Sequence, residues 1–368
     1  MSISFSARRQ ANPRTGIDRC SALASASHLE ITSKGPLVLL FFDGLEFQAY
    51  SEFRRRVYSD LRAFARATWR VARGKAPKGG FYLAFESLRD SLQLLGCDVR
   101  VNDFAAARAR PRYPIGIAGH PSVLERVQLP NPAIFGPGDP GYPDEAGAVA
   151  QRPSIRRIIQ PSQWYVDFYR PYCGDKMMVW PAGIDTQRLP DTSKFQKDID
   201  VLIYDKIRWD HDDVYNSVIE PLKSRLVASG LSYEIIRYGY YRPKDLAAYL
   251  KRAKTMAFIC EHETQGLACE QAMAANVPIF AWDEGRLADP KQIPFVKSDL
   301  RVSSVPYFDD RCGVRFTRAD MTESFDRFWK SRERFKPRDY IEDALSMEKC
   351  GLSYLEAYNA IAGEQAAR

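Results

Sequence analysis

The residues with the most chemical potential stand between 261 and 281, in the run EHETQGLACEQAMAANVPIFA. An apolar stretch ends at Cys260, an acidic loop follows through His262, Glu263, Thr264 and Gln265, and Gly266-Leu267 begins a helix-compatible segment. A helix N-terminus that follows a strand offers unpaired N–H groups and the positive end of its dipole to a phosphate. A carboxylate such as Glu263, which can only accept hydrogen bonds, suits sugar hydroxyls. These residues together predict a site for a phosphorylated sugar. Asn276 fits the left-handed residue that stops such a helix, with Pro278 just beyond it. Glu270 is expected on the helix surface.

The same stretch resembles the E-x7-E signature of the retaining GT-B glycosyltransferases, a group also called glycosyltransferase family four. Glu263, Gly266-Leu267 and Ala272 to Pro278 match its first Glu, its Gly-Leu helix start and its Ala-x-Ala-x-Gly-x-Pro, with Asn276 in place of the Gly. Gln271 stands where that group has its second Glu, and Glu270 comes one residue earlier. Gly79-Gly80 before a helix is similar to the group's first glycine-rich loop, and Pro181 to Asp185 to its hinge. The resemblance runs in order from about residue 36 to 362.

The resemblance implies an α/β, GT-B-like chain with two Rossmann-type domains facing a cleft. It implies transfer of a hexose, with retention, from a nucleoside diphosphate sugar to a hydroxyl of a glycan or lipid-linked acceptor. Glu263 would hold the donor sugar. The Gly266 and Leu267 amides would meet the phosphates, Thr264 and Gln265 would bind the substrate beside them, and Gln271 would accept a ribose hydroxyl. Lys206 falls nearest the group's phosphate-binding arginine, with Arg208 or His211 as a second contact; a plain surface pair is the alternative. His120, after Ile115 to Gly119, would face the sugar, or be an ordinary loop histidine. No metal and no cofactor enter this scheme. A sugar-nucleotide epimerase of the same shape and a non-catalytic nucleotide-sugar or polysaccharide-binding protein are the other readings.

The elements that must carry these residues alternate as strand and helix. Apolar runs predict strands at Leu37–Phe42, Val99–Val101, Ile115–Ala118, Ala133–Phe135, Ile155–Ile159 and Met177–Trp180. A helix is expected over Phe81–Leu95, stopped by Gly96. The pattern restarts after Asp185. Strands are expected at Ile199–Tyr204, Tyr233–Tyr238, Thr255–Cys260 and Val277–Ala281. Helices are expected over Val214–Ser229 (begun or kinked by Pro221), from Pro243, and over Leu267–Ala275. The expected division is a poorly ordered extension over 1–34, an acceptor domain over 35–182, a nucleotide-sugar domain over 183–340, and a helical tail over 341–368. The tail helix is drawn from Leu345 to Tyr358, with Gly351 counting against it.

Three further patterns have bland readings. Gly136 to Gly141 spells G-x-G-x-x-G, but two prolines and no expected following helix argue for a rigid loop at the cleft edge rather than a dinucleotide site. Asp210 to Asp213 contains D-x-D at an expected helix start, where the dipole favours acids anyway. His262-Glu263 lacks the second His of a zinc motif. Arg54 to Lys78 is strongly basic, with Asp60 its single acid. Phe53, Val57, Leu61, Phe64 and Val71 fall opposite Arg55, Arg62, Arg66 and Arg73 on a helical wheel. That pattern suits an anionic membrane surface, or a solvated face packed on the first domain.

Composition bounds the rest. The chain has 368 residues, 45% hydrophobic and 27% charged, which fits two globular domains and excludes fibrous or wholly disordered classes. A net charge of +7 without an RNA-binding signature does not call for nucleic acid. The 7 scattered cysteines form no C-x-x-C pair, which fits a reducing, cytoplasmic setting with peripheral contact to the inner membrane face as an extension. Residues 1–34 carry Arg8, Arg9, Arg14 and Arg19 among Ser and Ala; a transit peptide is the alternative to a loose extension.

Overall fold

A computed structural model describes residues 26–42, 80–297 and 300–366. Gly79 and the basic segment Arg54 to Lys78 lie outside the described residues. The chain folds around two sheets. The first is seven-stranded: β1 (Ile31–Thr32), β2 (Gly35–Phe42), β3 (Asp98–Val101), β4 (Ile115–Ala118), β5 (Ala133–Phe135), β6 (Ile155–Gln160) and β7 (Met177–Val179). Its parallel order is β3-β2-β4-β5-β6-β7, and β1 pairs antiparallel with the start of β2. The second holds β8 (Ile199–Asp205), β9 (Tyr233–Arg237), β10 (Ala253–Ile259), β11 (Ile279–Trp282) and β12 (Gly313–Phe316), all parallel, in the order β12-β11-β10-β8-β9. Leu37 to Phe41 and Met256 to Ile259 are buried on both sheet faces, so these central strands read as continuous apolar runs.

Each sheet reverses its order once, between β2 and β4 in the first and between β8 and β10 in the second. At such a reversal the connections leave towards opposite faces, and a crevice opens at the carboxyl ends of the two strands. That crevice is where the 261–266 loop sits.

The helices are α1 (Gly80–Leu94), α2 (Pro143–Gln151), α3 (Gln163–Cys173), α4 (Glu220–Ala228), α5 (Pro243–Arg252), α6 (Leu267–Ala274), α7 (Met321–Ser331), α8 (Pro337–Ala344) and α9 (Met347–Ala366), with several shorter turns. The helix expected from Val214 in fact begins at His211 and passes through a widened π turn, Tyr215–Ile219, before α4. Pro221 explains the widening: it lacks an N–H and its ring crowds the carbonyl four residues back.

Several expectations need correction. Residues 26–34 are not a loose extension: Ala26 and Leu29 are buried in the core of the first sheet, and Ile31–Thr32 form β1. The tail helix runs far past Tyr358 and contains Gly351. A Cβ at 351 would lie 3.0 Å from Ser91 Cβ, so the glycine lets α9 press against α1. Tyr354, Leu355, Tyr358 and Ile361 then complete the core of the first sheet rather than the second. The G-x-G-x-x-G loop does have a strand before it and a helix, α2, soon after it. Its glycines serve packing: a Cβ on Gly138 would collide with the Gly119 carbonyl.

Candidate functional site

The site is built at the reversal of the second sheet. Lys206 follows β8 directly, and its N–H bonds the Ile259 carbonyl at 2.8 Å, which fixes it beside the end of β10. Its ammonium forms an ion pair with Glu263, with both side chains nearly buried at 11% and 8% exposure. Lys206 Nζ also lies 4.5 Å from the centre of the Tyr238 ring. Burial alone would push the Glu263 carboxyl up; the charges of Lys206 and then Arg208, with hydrogen bonds from Lys206 and Cys260, hold it below the ordinary carboxylate range. Glu263 is therefore an anion.

Arg208 folds back on the same loop. Its guanidinium donates to the His262 carbonyl and stacks on Trp209 at 4.6 Å. Glu261 fixes the turn from the other side, accepting from the Arg208 N–H at 2.9 Å and the Trp209 N–H at 2.9 Å. His262 is buried between Trp209, stacked at 4.9 Å, and Trp164, edge-on at 5.7 Å. Its burial, helped by Arg208, lowers the imidazole to about 3, so His262 is neutral at physiological pH. Among the described residues no group of three His, Cys, Asp or Glu could hold a metal ion.

Gly266 turns the loop into α6 at φ +96°, a left-handed conformation that glycine adopts without Cβ strain. α6 is kept short by Asn276, at φ +61°, as the sequence predicts. Leu267 packs against the cores of both sheets. Gln265 is buried and faces the hinge. Its carbonyl accepts the Ala182 N–H at 2.9 Å, and its amide nitrogen donates to the Ala182 carbonyl and to Glu270 at 2.8 and 2.9 Å. Glu270 is thus no surface carboxylate. It is 1% exposed, and burial pushes its carboxyl well above the ordinary range against the Gln265 hydrogen bond, with the Glu263 charge adding to the rise. Among the described residues its Oε1 has no hydrogen-bond partner. Gln271 beside it is half-buried on α6, as is Thr264 in the loop.

The structure therefore brings Lys206, Arg208, Glu263, Thr264, Gln265, Gly266 and Leu267 to one place. His120 stands apart: it is exposed at the end of β4, its ring 5.3 Å from Phe81 beside Gly80. Among the described residues no hydrogen bond joins it to the 261–266 loop. His211 is engaged elsewhere, bonded through Nε2 to the buried Asp205 at 2.8 Å, and Asp212 next to it is fully exposed. Sequence reading missed Glu261, whose position at a strand end was a fair signal, and Trp164. Trp164 donates its indole N–H to the Glu263 carbonyl at 2.8 Å from ninety-nine residues away, and nothing local announces it. A cavity of about 600 Å³ between α3 and residues 297 and 300–306 adjoins the loop through Trp164 and Ser303.

No family model matches the chain, and no curated protein matches its sequence. Among solved structures, a sucrose-phosphate synthase from Thermosynechococcus elongatus superposes with a TM-score of 0.51 at 11% identity, over 89% of this chain and 99% of that one. The chain has the GT-B fold. Two further GT-B structures are similar at lower scores. One is AviGT4, a glycosyltransferase involved in avilamycin A biosynthesis (TM-score 0.49, 12% identity, 89% of this chain and 98% of that one). The other is WaaG, a glycosyltransferase involved in lipopolysaccharide biosynthesis (TM-score 0.47, 11% identity, 87% and 99%). The buried Lys206–Glu263 pair lies at the carboxyl ends of β8 and β10, and α9 packs on the core of the first sheet.

Proposed function

We propose that this chain transfers a hexose from a nucleoside diphosphate sugar to a hydroxyl of a glycan or lipid-linked acceptor, with retention at the sugar carbon. The observation that carries the reading is the Lys206–Glu263 pair at the strand-order reversal of a GT-B sheet, directly before the N-terminus of α6. An ammonium has three donors. Lys206 can hold Glu263 with one and meet a diphosphate with another, while the free N–H groups at the start of α6 meet its oxygens.

The chemistry asked of the chain is positioning and charge. Glu263, ionised and fixed, accepts hydrogen bonds from the sugar hydroxyls. Lys206 and Arg208 stabilise the negative charge that grows on the departing diphosphate, in a site where little solvent screens it. Gln271 offers its carbonyl oxygen to the ribose. His120 and Gly80 contribute from the first half, which takes the acceptor over about residues 35–182, while 183–340 takes the donor and 341–368 closes the fold. The basic segment Arg54 to Lys78 seats the enzyme on an anionic membrane at the cytoplasmic face. No helix among the described residues is long and apolar enough to cross a membrane.

The test is product analysis with purified protein, labelled donors carrying several bases and sugars, and a crude membrane acceptor. Label transferred to acceptor supports the proposal. An isomerised donor would indicate an epimerase, bound but unchanged donor a binding protein, and no donor binding would defeat all three.

A further inference from the structure

Glu263 belongs to the second sheet, yet its carbonyl is gripped from the first. Trp164, on the first turn of α3, donates Nε1–H to the Glu263 carbonyl at 2.8 Å, and its ring is 6% exposed. On the other side of the same residue, the Ser303 carbonyl accepts the Glu263 N–H at 3.0 Å. Ser303 is itself tied to Asp283 at 2.7 Å, and its neighbour Val302 is buried in the core of the first sheet. Tyr307 adds a second bond between the halves, donating its hydroxyl to the Pro161 carbonyl at 2.5 Å, just before Trp164. The Glu263 carbonyl is therefore held from the first half, and its N–H by a segment tied to Asp283 after β11 and packed through Val302 on the first sheet's core.

We infer that Trp164 is a positioning residue, which orients the Glu263 carboxylate by fixing its carbonyl and so makes the donor site correct only when the two halves are in register. The inference rests on the proposed role of Glu263. A reacting group displaced by about 1 Å can lose on the order of a hundredfold in rate, so one hydrogen bond at its backbone is enough to matter. Trp164→Phe keeps an aromatic ring in α3 and removes only the donor, leaving the Glu263 carbonyl without its partner.

The test compares wild type, Trp164→Phe, Glu263→Gln and the double variant in steady-state transfer. Trp164→Phe should lower turnover about tenfold while the donor KM stays within about twofold. On the Glu263→Gln background it should cost less than about twofold more, because the carboxylate it positions is gone. Amide hydrogen exchange gives a readout free of activity: residues 261–266 should exchange faster by about tenfold, with α9 unchanged. Fully additive losses, or faster exchange throughout the chain, would overturn the inference. A wild-type protein that transfers nothing overturns the functional reading alone. Exchange then decides the role of Trp164, and an unchanged 261–266 segment in the variant overturns it.

Discussion

Glu263 and Glu270 lie in one short segment, both buried, and meet opposite fates. Glu263 has an ammonium on its oxygen and a guanidinium close by, and it stays charged. Glu270 lies beside Ala182, has the Gln265 amide as its one hydrogen-bond partner among the described residues, and is driven towards its neutral form. Burial is the largest single influence on both; at Glu263 the cationic partners together outweigh it, and at Glu270 nothing does. One carboxylate is held as an anion beside two cations, and the other joins α6 to Ala182 through Gln265. A residue's place in a motif does not reveal which of these it will be.

The strongest way to break this contrast is to remove the charge from each carboxylate in turn. Glu263→Gln should slow transfer by roughly a hundredfold. It also leaves the Lys206 ammonium buried beside a neutral amide, so it should cost about 3 kcal/mol of stability, measurable by urea unfolding. Glu270→Gln should leave turnover within about twofold, since it mimics the form that burial already favours. The reverse order of severity would mean that the donor carboxylate had been assigned to the wrong residue.

A gain should follow from restoring charge beside them. Gln271→Glu replaces a neutral acceptor with a charged one, worth about 1–2 kcal/mol to a ribose hydroxyl. Calorimetry should find donor binding tighter by about tenfold, with turnover little changed. Unaltered affinity would take residue 271 out of the site.

The smallest effect separates the two carboxylates by pH. Glu270 in the folded chain titrates above its unfolded value near 4.5, so the folded state retains a proton that the unfolded state releases as pH rises. Stability is therefore lost with rising pH, by at most about 1.4 kcal/mol per unit, until the folded value is passed. Glu263 behaves oppositely: its contribution is present above the unfolded value and disappears only as acid reaches its lowered one. The melting temperature of Glu270→Gln should match wild type near pH 4 and exceed it increasingly towards pH 7.5. A constant difference across that range would mean that Glu270 is charged in the folded protein.

Much of the fold was legible. Central strands such as Leu37 to Phe42 are continuous apolar runs because both sheet faces are covered. Gly96 and Asn276 stop their helices at positive φ, as local chemistry requires. The grouping of the candidate residues was legible where they are near in sequence or end neighbouring strands, as with Glu263, Gly266 and Lys206. It was not legible where partners come from afar. Trp164 reaches Glu263 from the first half, ninety-nine residues away, and the place of Gly351 inside a helix depends on how closely α1 approaches. Glu270 was misread because the helix is covered on the side that an isolated amphipathic pattern would leave to solvent. The basic segment after Phe42 lies outside the described residues, so vesicle binding must test it. Neutralising Arg55, Arg62 and Arg66 should weaken binding to anionic vesicles by about 1 kcal/mol per charge, and salt should mimic the change.

The most direct measurement is transfer of label from a nucleoside diphosphate hexose to a membrane-derived acceptor by wild type and Glu263→Gln, assayed side by side at a temperature where both are folded. Labelled acceptor from the wild type, reduced by roughly a hundredfold in the variant, is the predicted result. Equal transfer by the two proteins would contradict the central role given to the Lys206–Glu263 pair.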